Sequence, residues 1–569
     1  MRRDAIADVY DLVVLGSGAA GLSSALFGAL DGARVLLLER TPLLGGTSAY
    51  SAATTWVPNT RFRDALGADD SVDNALGFLD RAVGNRAPRA LRETFLKRGP
   101  DVIHRLQDET EVRFRGRPFH PDYLHELEGS TSFGRALEPE PFDGRELGSD
   151  IALVRPALPE FTILGGLQID RDDIPHLLAM TRRPASFLYA ARLIARYGAQ
   201  RLRHGRSTRM LMGNALVGRF LAELRRRGVT IVTEAQVTAL APLGGGRHAL
   251  TLRVDGAEWR TCAEKGVVLA TGGFARHPTR RAEMLPDPAP RVSPAAPGHT
   301  GEMHDIVLEL GAHYPDGAAQ ACFWAPVSIR TRADGSEAAF PHFVLDRSKP
   351  GTLCVGRDGA RFVNETRSYH EFVSAMYAAD EGGSHIPAFL VCDAQALRKY
   401  GLGMVRPGAR SISSFLAEGY LTRGDTPEAL ARALGIDASG FARTLERYNE
   451  LAAVGRDTDF HRGETVYERA NGDATHGPNP TMRPLGPGPY YAVRLWPGDI
   501  GSALGLATDE RARLLRRDGS AIEGLYACGA DMNSIMGGVY PGPGITIGPG
   551  IVFGAIAAGD ALARREVAE

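Results

Sequence analysis

The sequence has few cysteines and no excess of charge of either sign. Lys and Arg total 66 against 67 Asp and Glu, which argues against nucleic acid as a main partner, because phosphate binding needs excess positive charge. The five cysteines are widely separated and form no CxxC pair. This argues against a zinc site, a redox dithiol or a disulfide framework, so we expect no metal and a reducing, cytoplasmic location. The cysteines are Cys262, Cys322, Cys354, Cys392 and Cys528.

The sequence also lacks a convincing membrane span or signal peptide. Residues 532–559 carry no charge, but Pro541, Pro543 and Pro549 and several glycines interrupt them, and these would break a lipid-exposed helix. We therefore predict a buried loop against a ligand. The short apolar run after the charged N-terminus leads straight into a Gly-rich turn, which predicts a strand and not a signal peptide.

What the sequence has is a dinucleotide-binding pattern near its start. DLVVL at 11–15 predicts a buried strand, GSGAAG at 16–21 a glycine-rich turn, and LSSALFGAL a helix. A second strand, ARVLLLE, ends in Glu39, 18 residues after Gly21. In this order the turn and the helix N-terminus hold a pyrophosphate, and the carboxylate binds ribose hydroxyls.

Three later segments favour FAD over NAD, because the long FAD molecule touches several loops. They are RTPLLGGTS (40–48), VVLATGGF (267–274) and GLYACGAD (524–531). Together they resemble the flavoprotein superfamily of fumarate reductase and succinate dehydrogenase. The resemblance implies an α/β fold with a discontinuous Rossmann-type FAD domain and an inserted α+β catalytic domain. Noncovalent FAD is expected, because Thr47 stands where covalent members carry a histidine.

The domain boundaries and the FAD contacts are expectations from this resemblance. We expect FAD-domain segments at 1–277, with a basic helical insertion at about 150–210, and at 486–569, with a catalytic domain at 278–485 between them. The expected FAD contacts are Gly16, Gly18, Ala19, Ala20, Gly21, Glu39, Arg40, Gly45, Gly46, Thr47, Ser48, Val237, Ala270, Thr271, Gly272, Gly529, Asp531, Gly544 and Ile545. The last helix, after Gly550, would direct its positive dipole end at the flavin.

Within the superfamily the chain most resembles the 3-ketosteroid Δ1-dehydrogenases. The resemblance is carried by GGTSAYSAATTWVPN, DYLHELEGSTSFGR, RFVNETRSYHEFVSAMY and GGVYPGPGITIGPG. It departs from the family at residues 52–54, AAT, where glycines are usual.

The resemblance implies a tyrosine mechanism. The Tyr540 hydroxyl and the Gly544 amide would bind the ketone oxygen and stabilise the developing enolate. Tyr369 would abstract the α proton, and the β hydrogen would leave as hydride to flavin N5. Because a free tyrosine has a pKa of about 10, Tyr369 needs a partner, and Tyr123 would favour its ionised form.

Other substrate classes stay open. A smaller cyclohexanone-type ring would use the same chemistry, with a quinone or another electron acceptor in either case. A fumarate reductase-like reaction is less favoured, because the usual Arg and His positions hold Tyr369 and Gly501. Without that cationic clamp a neutral ketone suits the site better, since buried unpaired charge is costly.

A basic segment at 182–209 has eight arginines and no acid. Phe187, Ala191, Ile194, Ala195, Gly198 and Leu202 recur at helical spacing and predict one apolar face. This face either packs on the protein, which we favour, or lies on an anionic membrane with the arginines at the headgroups.

Overall fold

The computed structural model describes residues 6–344 and 346–564 and shows a mixed α/β fold. The strands are β1 Val9–Leu15, β2 Val35–Leu38, β3 Thr55–Trp56, β4 Phe114–Gly116, β5 Ala136–Pro139, β6 Phe142–Asp143, β7 Arg209–Met210, β8 Thr230–Val232, β9 Ala235–Gly244, β10 Arg247–Val254, β11 Ala257–Leu269, β12 Cys322–Thr331, β13 Glu337–Pro341, β14 Thr352–Val355, β15 Ala388–Asp393, β16 Thr422–Gly424, β17 Tyr490–Ser502, β18 Arg513–Leu515 and β19 Ala521–Ala527. The helices are α1 Ala19–Leu30, α2 Phe62–Ala65, α3 Val72–Val83, α4 Arg89–Glu109, α5 Asp173–Ala179, α6 Pro184–His204, α7 Met212–Arg226, α8 Pro278–Met284, α9 Glu302–Glu309, α10 Tyr369–Ala379, α11 Ala394–Tyr400, α12 Ser413–Ala417, α13 Pro427–Leu434, α14 Ala438–Val454, α15 Val466–Asn471 and α16 Ile547–Ala563.

The first sheet collects strands from three distant parts of the chain. Its order is β18-β19-β11-β1-β2-β8, with β10 paired to β11 and β9 paired to β10. Strands β19, β11, β1, β2 and β8 run parallel. The paired stretches at 12–15, 35–38 and 267–269 are continuous apolar runs, as expected for strands covered on both faces. The predicted strand, turn, helix and second strand at the start of the chain are confirmed.

Helices α1 and α16 pack against each other beside this sheet. The Ser23 hydroxyl donates a 2.7 Å hydrogen bond to the carbonyl oxygen of Ile551. A Cβ at Gly554 would lie 2.4 Å from the carbonyl oxygen of Ala20, so glycine permits this close approach. The contact brings the N-terminal ends of both helices to one cavity, which Ala20 and Ile547 both line.

The second sheet has the order β13-β12-β17-β15-β14, with β16 paired to β17. Strand β17 lies in its middle, paired antiparallel with β12 and β15. The chain rejoins the first sheet only at β18, which begins at Arg513. The expected boundary at 486 therefore falls just before β17, a strand of the second sheet.

Helix α6 does not bury the apolar face that its spacing predicts. It packs through Ser186, Ala190 and Tyr197, which are buried. Phe187 is 59% exposed and Leu202 is 92% exposed, so the interpretation that this face packs on the protein is wrong. Within the described ranges, no helix combines the length and hydropathy that crossing a membrane requires.

Candidate active site

A cavity of about 810 Å³ lies at the carboxyl ends of the parallel strands. Strands β1, β2 and β11 end at Leu15, Leu38 and Leu269, and the turns that follow all three strands line the cavity. This is the place where open α/β sheets bind their ligands.

The first turn of α1 provides free amide donors at the cavity. Its N-cap residue, Gly18, has no capping side chain. The N–H of Ala19 donates to the Ser48 hydroxyl, whereas the N–H groups of Gly18 and Ala20 donate to no described residue. A Cβ at Gly18 would find only the Ser48 hydroxyl, at 3.7 Å. The turn therefore leaves room and donors for a pyrophosphate.

Glu39 lies at the end of β2 and lines the same cavity. Its carboxylate accepts hydrogen bonds from the Ser17 hydroxyl at 2.5 Å and from the N–H of Thr41 at 2.8 Å. It is fixed in place at the position where a ribose-binding acid is expected.

Two cavity residues that the sequence did not single out carry unpartnered buried nitrogens. Within the described chain, Arg155 Nε and His299 Nδ1 have no hydrogen-bond partner. The Nε2 atom of His299 lies 3.2 Å from the Thr47 hydroxyl, and burial lowers the pKa of His299 to about 4. A cationic donor and a neutral imidazole in this cavity fit a phosphate- and sugar-containing cofactor.

Most of the predicted FAD contacts line the cavity, and four do not. Those that line it are Gly16, Gly18, Ala19, Ala20, Glu39, Arg40, Gly46, Thr47, Ser48, Val237, Ala270, Thr271, Gly272, Gly529 and Gly544. Gly21 serves packing, because a Cβ there would lie 2.0 Å from the Gly16 carbonyl oxygen. Gly45 does not line the cavity but shapes the adjoining turn, because its φ of +107° favours glycine. Ile545 does not line the cavity either and is buried in the core.

The fourth, Asp531, is fully buried and positions the turn after β11. Its carboxylate accepts hydrogen bonds from the Thr271 hydroxyl at 2.9 Å and from the N–H of Gly273 at 2.8 Å. His304 Nε2 lies 2.9 Å from the same carboxylate. Asp531 therefore acts through the turn that lines the cavity.

The three predicted tyrosines lie together at another part of the cavity wall. The hydroxyl oxygens of Tyr123 and Tyr369 are 3.4 Å apart, longer than the roughly 2.7–2.8 Å typical of two hydroxyls. The rings of Tyr123 and Tyr540 stack with centroids 5.6 Å apart, and Tyr369 meets Tyr540 edge-on at 5.2 Å. Phe323 and Phe343 pack against this cluster and line the cavity.

Tyr369 is the first residue of α10, and Ser368 caps that helix by accepting a hydrogen bond from the N–H of Glu371. The positive end of a helix dipole favours a nearby anion, which here would be the Tyr369 phenolate. Burial acts in the opposite direction and raises the pKa of Tyr369 well above its ordinary value. Burial also raises the pKa of Tyr123 and Tyr540.

Gly544 places a free amide at the cavity. Its N–H donates to no described residue, and its φ is +92°. A Cβ there would lie 2.2 Å from the Thr54 carbonyl oxygen, so only glycine fits. Ala53, where the family pattern predicts glycine, holds a φ of +51°, so an alanine adopts here a conformation that glycine favours.

The cavity wall also contains cations that the sequence interpretation missed. Arg115, Arg117 and Arg171 line it together with Glu138. Tyr369 and Gly501 line the cavity in place of the fumarate reductase clamp, and these three arginines lie at other positions of its wall. Of the two aromatic residues at the start of β12, Phe323 lines the cavity, whereas Trp324 is buried in a separate core.

The fold and the cavity define a dinucleotide-dependent oxidoreductase, and comparison with known proteins identifies the family. Residues 11–547 match the model of the family described as "FAD binding domain". The chain belongs to this family, it binds FAD, and it is a flavin oxidoreductase.

Three similar proteins cover nearly the whole chain. The 4-oxocyclohex-2-ene-1-carboxylate 5-dehydrogenase of Sinomonas cyclohexanicum is 34% identical over 96% of this chain and 92% of its own length. The 3-oxosteroid 1-dehydrogenase of Mycolicibacterium smegmatis is 34% identical over 97% of both chains. The crystal structure of the 3-ketosteroid Δ1-dehydrogenase of Sterolibacterium denitrificans, in complex with 1,4-androstadiene-3,17-dione, has a TM-score of 0.91 at 31% identity. It covers 98% of this chain and 100% of that chain.

Proposed function

We propose that the protein desaturates a cyclic ketone next to its carbonyl group, and that the ketone is a 3-ketosteroid or a smaller oxocyclohexane. The observation that carries this proposal is the convergence of Tyr123, Tyr369, Tyr540 and the free Gly544 amide on one cavity. The relatives support it, because they are named for dehydrogenation of 3-oxosteroids and of oxocyclohexene carboxylates.

Each residue has a separate task in this proposal. The Tyr540 hydroxyl and the Gly544 N–H donate hydrogen bonds to the ketone oxygen and stabilise the enolate as it forms. Tyr369 removes the α proton, assisted by the α10 dipole and by Tyr123. Bound FAD supplies the acceptor for the hydride that leaves the β carbon.

We infer that FAD lies noncovalently between the α1 turn and the N-terminal end of α16. Thr546, Ile547 and Gly550 of that end line the cavity. We also propose a two-domain division in which the first sheet belongs to the FAD domain and the second sheet, through β17, belongs to the catalytic domain. A quinone or a similar carrier would take up the electrons afterwards.

Turnover of a substrate panel tests the proposed function. The FAD-loaded enzyme would be given 4-androstene-3,17-dione, cyclohexanone-type ketones and an artificial electron acceptor, with products analysed by mass spectrometry. We expect a ketone product lighter by two hydrogens, and the faster substrate identifies the ring size. Reduction of fumarate from a reduced dye, with no ketone oxidised, would contradict the proposal and favour the fumarate reductase alternative.

We further propose that an anionic membrane contacts the segment 158–204. Of the large hydrophobic side chains exposed in the described chain, eight of thirteen fall between residues 161 and 202: Phe161, Leu164, Ile174, Leu178, Phe187, Leu188, Ile194 and Leu202. Six of the eight predicted arginines are exposed beside them: Arg182, Arg183, Arg192, Arg196, Arg201 and Arg203. Apolar side chains with surrounding arginines match the interface of an anionic bilayer.

The same segment reaches the cavity. Phe161 and Ile174 are both exposed and both line the cavity wall. A membrane on this surface would place a water-insoluble ketone, or a quinone acceptor, near the opening. Arg206 and Arg209 do not contribute, because they bind backbone and carboxylate groups of the protein itself.

Flotation with vesicles containing anionic lipid tests the contact. We expect binding at low salt that decreases at high salt, and loss of binding when Phe187, Leu188, Ile194 and Leu202 are replaced by Ser. Replacement of Leu243, Val454 and Val466, which are exposed elsewhere, serves as the matched control and should leave binding intact. Absence of binding at low salt, with the protein folded and yellow, would contradict the membrane contact.

A further inference from the structure

Three arginines in the cavity wall surround one carboxylate. Arg115 Nε donates a 2.6 Å hydrogen bond to Glu138 Oε1, and a guanidinium nitrogen of Arg171 lies 2.9 Å from the same oxygen. Arg117 Nε lies 3.6 Å from Glu138 Oε2. The Glu138 side chain is 15% exposed, so one largely buried carboxylate is shared among three cations.

Arg117 is the least satisfied of the three. Its Nε is buried and lacks a hydrogen-bond partner among the residues that the structure describes. Its side chain is 23% exposed and lines the cavity. A guanidinium has five N–H donors and no acceptor, and leaving them unpaired in a buried place is costly. The Arg117 guanidinium therefore has an unused donor in the cavity wall.

The nearby acidic residues do not supply a hydrogen-bond acceptor for Arg117. Asp172 is 63% exposed and lies 3.7 Å from both Arg115 and Arg171, where solvent weakens the interaction. The carboxylate of Asp173 binds Arg209 at 2.8 Å. Asp170 lines the cavity too, but it lies 3.5 Å from Arg209, so none of these three acids supplies a hydrogen bond to Arg117.

The arginine cluster shares the cavity with the tyrosines. Arg117, His120 and Tyr123 lie within seven consecutive residues of the sequence, and all three line the cavity. Burial, with the charges of Arg117 and Arg171, lowers the pKa of His120 to about 3, so its imidazole is neutral. A substrate bound at the tyrosines therefore shares one cavity with the arginines, and His120 adds no cationic charge to that cavity.

We propose that Arg117, together with Arg171, binds a carboxylate carried by the ring ketone, so that the enzyme acts on anionic cyclic ketones. This inference rests on the proposed ketone dehydrogenation. The planar guanidinium fork matches a carboxylate with two hydrogen bonds. The carboxylate could belong to a small oxocyclohexanecarboxylate or to the side chain of a 3-oxosteroid acid, and the chemistry of recognition is the same.

Paired acids and methyl esters test the inference and separate the two sources. The pairs are 4-oxocyclohexanecarboxylate with its ester, and a 3-oxo-4-ene steroid acid with its ester. In at least one pair we expect kcat/KM for the acid to exceed that for the ester by roughly 10- to 100-fold, the range for a hydrogen bond to a charged group. The pair that shows the difference identifies the source. Equal kcat/KM values in both pairs would overturn the inference.

Substitution of Arg117 or Arg171 tests whether these residues cause the preference for the acid over the ester. Arg117→Gln should reduce the acid-to-ester ratio to near one, and Arg171→Gln should reduce it in the same direction. Arg260→Gln is the matched control, because the Arg260 side chain is 81% exposed on the surface, and it should retain the ratio. A ratio that persists in both Arg117→Gln and Arg171→Gln would overturn the assignment.

A binding measurement separates this inference from the proposed function. Cyclohexanecarboxylate, which has no ketone and cannot be desaturated by this route, would be titrated into the FAD-loaded protein by calorimetry. We expect binding that weakens roughly tenfold or more in Arg117→Gln, whether or not any ketone is turned over. Equal binding by the original protein and Arg117→Gln, or no binding to either, would overturn the carboxylate site.

Discussion

The backbone N–H of Tyr123 donates a 2.8 Å hydrogen bond to the carbonyl oxygen of Pro541. Pro541 follows Tyr540 directly, so this single bond joins two of the three tyrosines across more than 400 residues of sequence. The neighbouring Asp122 carboxylate accepts hydrogen bonds from Trp56 Nε1 and Arg135, both at 2.8 Å. The relative position of the tyrosines therefore depends on a buried network behind them.

Removal of Arg135 should disrupt this network. The Arg135 side chain is 1% exposed and binds the carboxylates of Asp70 and Asp122, so Arg135→Ala leaves two buried acids without their cation. We expect the free energy of unfolding to fall by about 3–5 kcal/mol, measured by urea denaturation. Arg447→Ala removes an exposed pair with Asp459 and should have a much smaller effect, because solvent screens such pairs. Equal effects of the two changes would contradict this view of the network.

Tyr540→Phe should remove one of the two donors to the ketone oxygen. We expect kcat to fall by about 10²–10³-fold, as for loss of one oxyanion donor, while FAD remains bound. Tyr467→Phe is the matched control, because its buried hydroxyl has no described partner and its ring packs against Tyr123. It should leave kcat within a few fold. Comparable losses in both variants would mean that ring packing, not donation, explains the effect.

The rate of desaturation should rise with pH through the neutral range. Burial raises the pKa of Tyr369 well above its ordinary value, so the phenolate that accepts the proton is a minor species near pH 7. Its population, and kcat/KM with it, should increase by about tenfold per pH unit. His370, the next residue, has its pKa lowered by burial to about 4 and adds no inflection in this range. A profile that is flat between pH 6 and 9 would exclude Tyr369 as the titrating base.

FAD should be released when the protein is precipitated with acid. The resemblance implies that Thr47 stands where covalent members of the superfamily carry a histidine, and a threonine cannot form that bond, so we expect the yellow colour to stay in the supernatant. The imidazole of His299 lies 3.2 Å from the Thr47 hydroxyl, so His299 is the side chain to test for a covalent bond to FAD. A yellow pellet that becomes colourless in His299→Ala would show a covalent link through that residue.

The parts of the fold that were predictable are those encoded in contiguous segments. The turn after β1, Glu39 and the later strands of the first sheet follow from short motifs whose geometry is local. The three tyrosines were predicted by resemblance, and the structure brings them to one cavity, although their catalytic roles remain predictions.

The parts that were not predictable depend on long-range packing. The arginine cluster combines Arg117 after β4, Glu138 in β5 and Arg171 before α5, and no spacing in the sequence relates them. Helix α6 shows the same limit in another form, because a helical period identifies Leu202 as part of an apolar face but not whether that face meets protein or solvent.

Anaerobic mixing of the FAD-loaded enzyme with its ketone tests the central claim most directly. The absorbance of oxidised flavin should bleach rapidly in the original protein and in Tyr467→Phe. In Tyr369→Phe, with FAD still bound, bleaching should slow by about 10²–10⁴-fold, as expected for loss of a general base. Bleaching of Tyr369→Phe at nearly the original rate would show that another group removes the proton and would contradict the proposed mechanism.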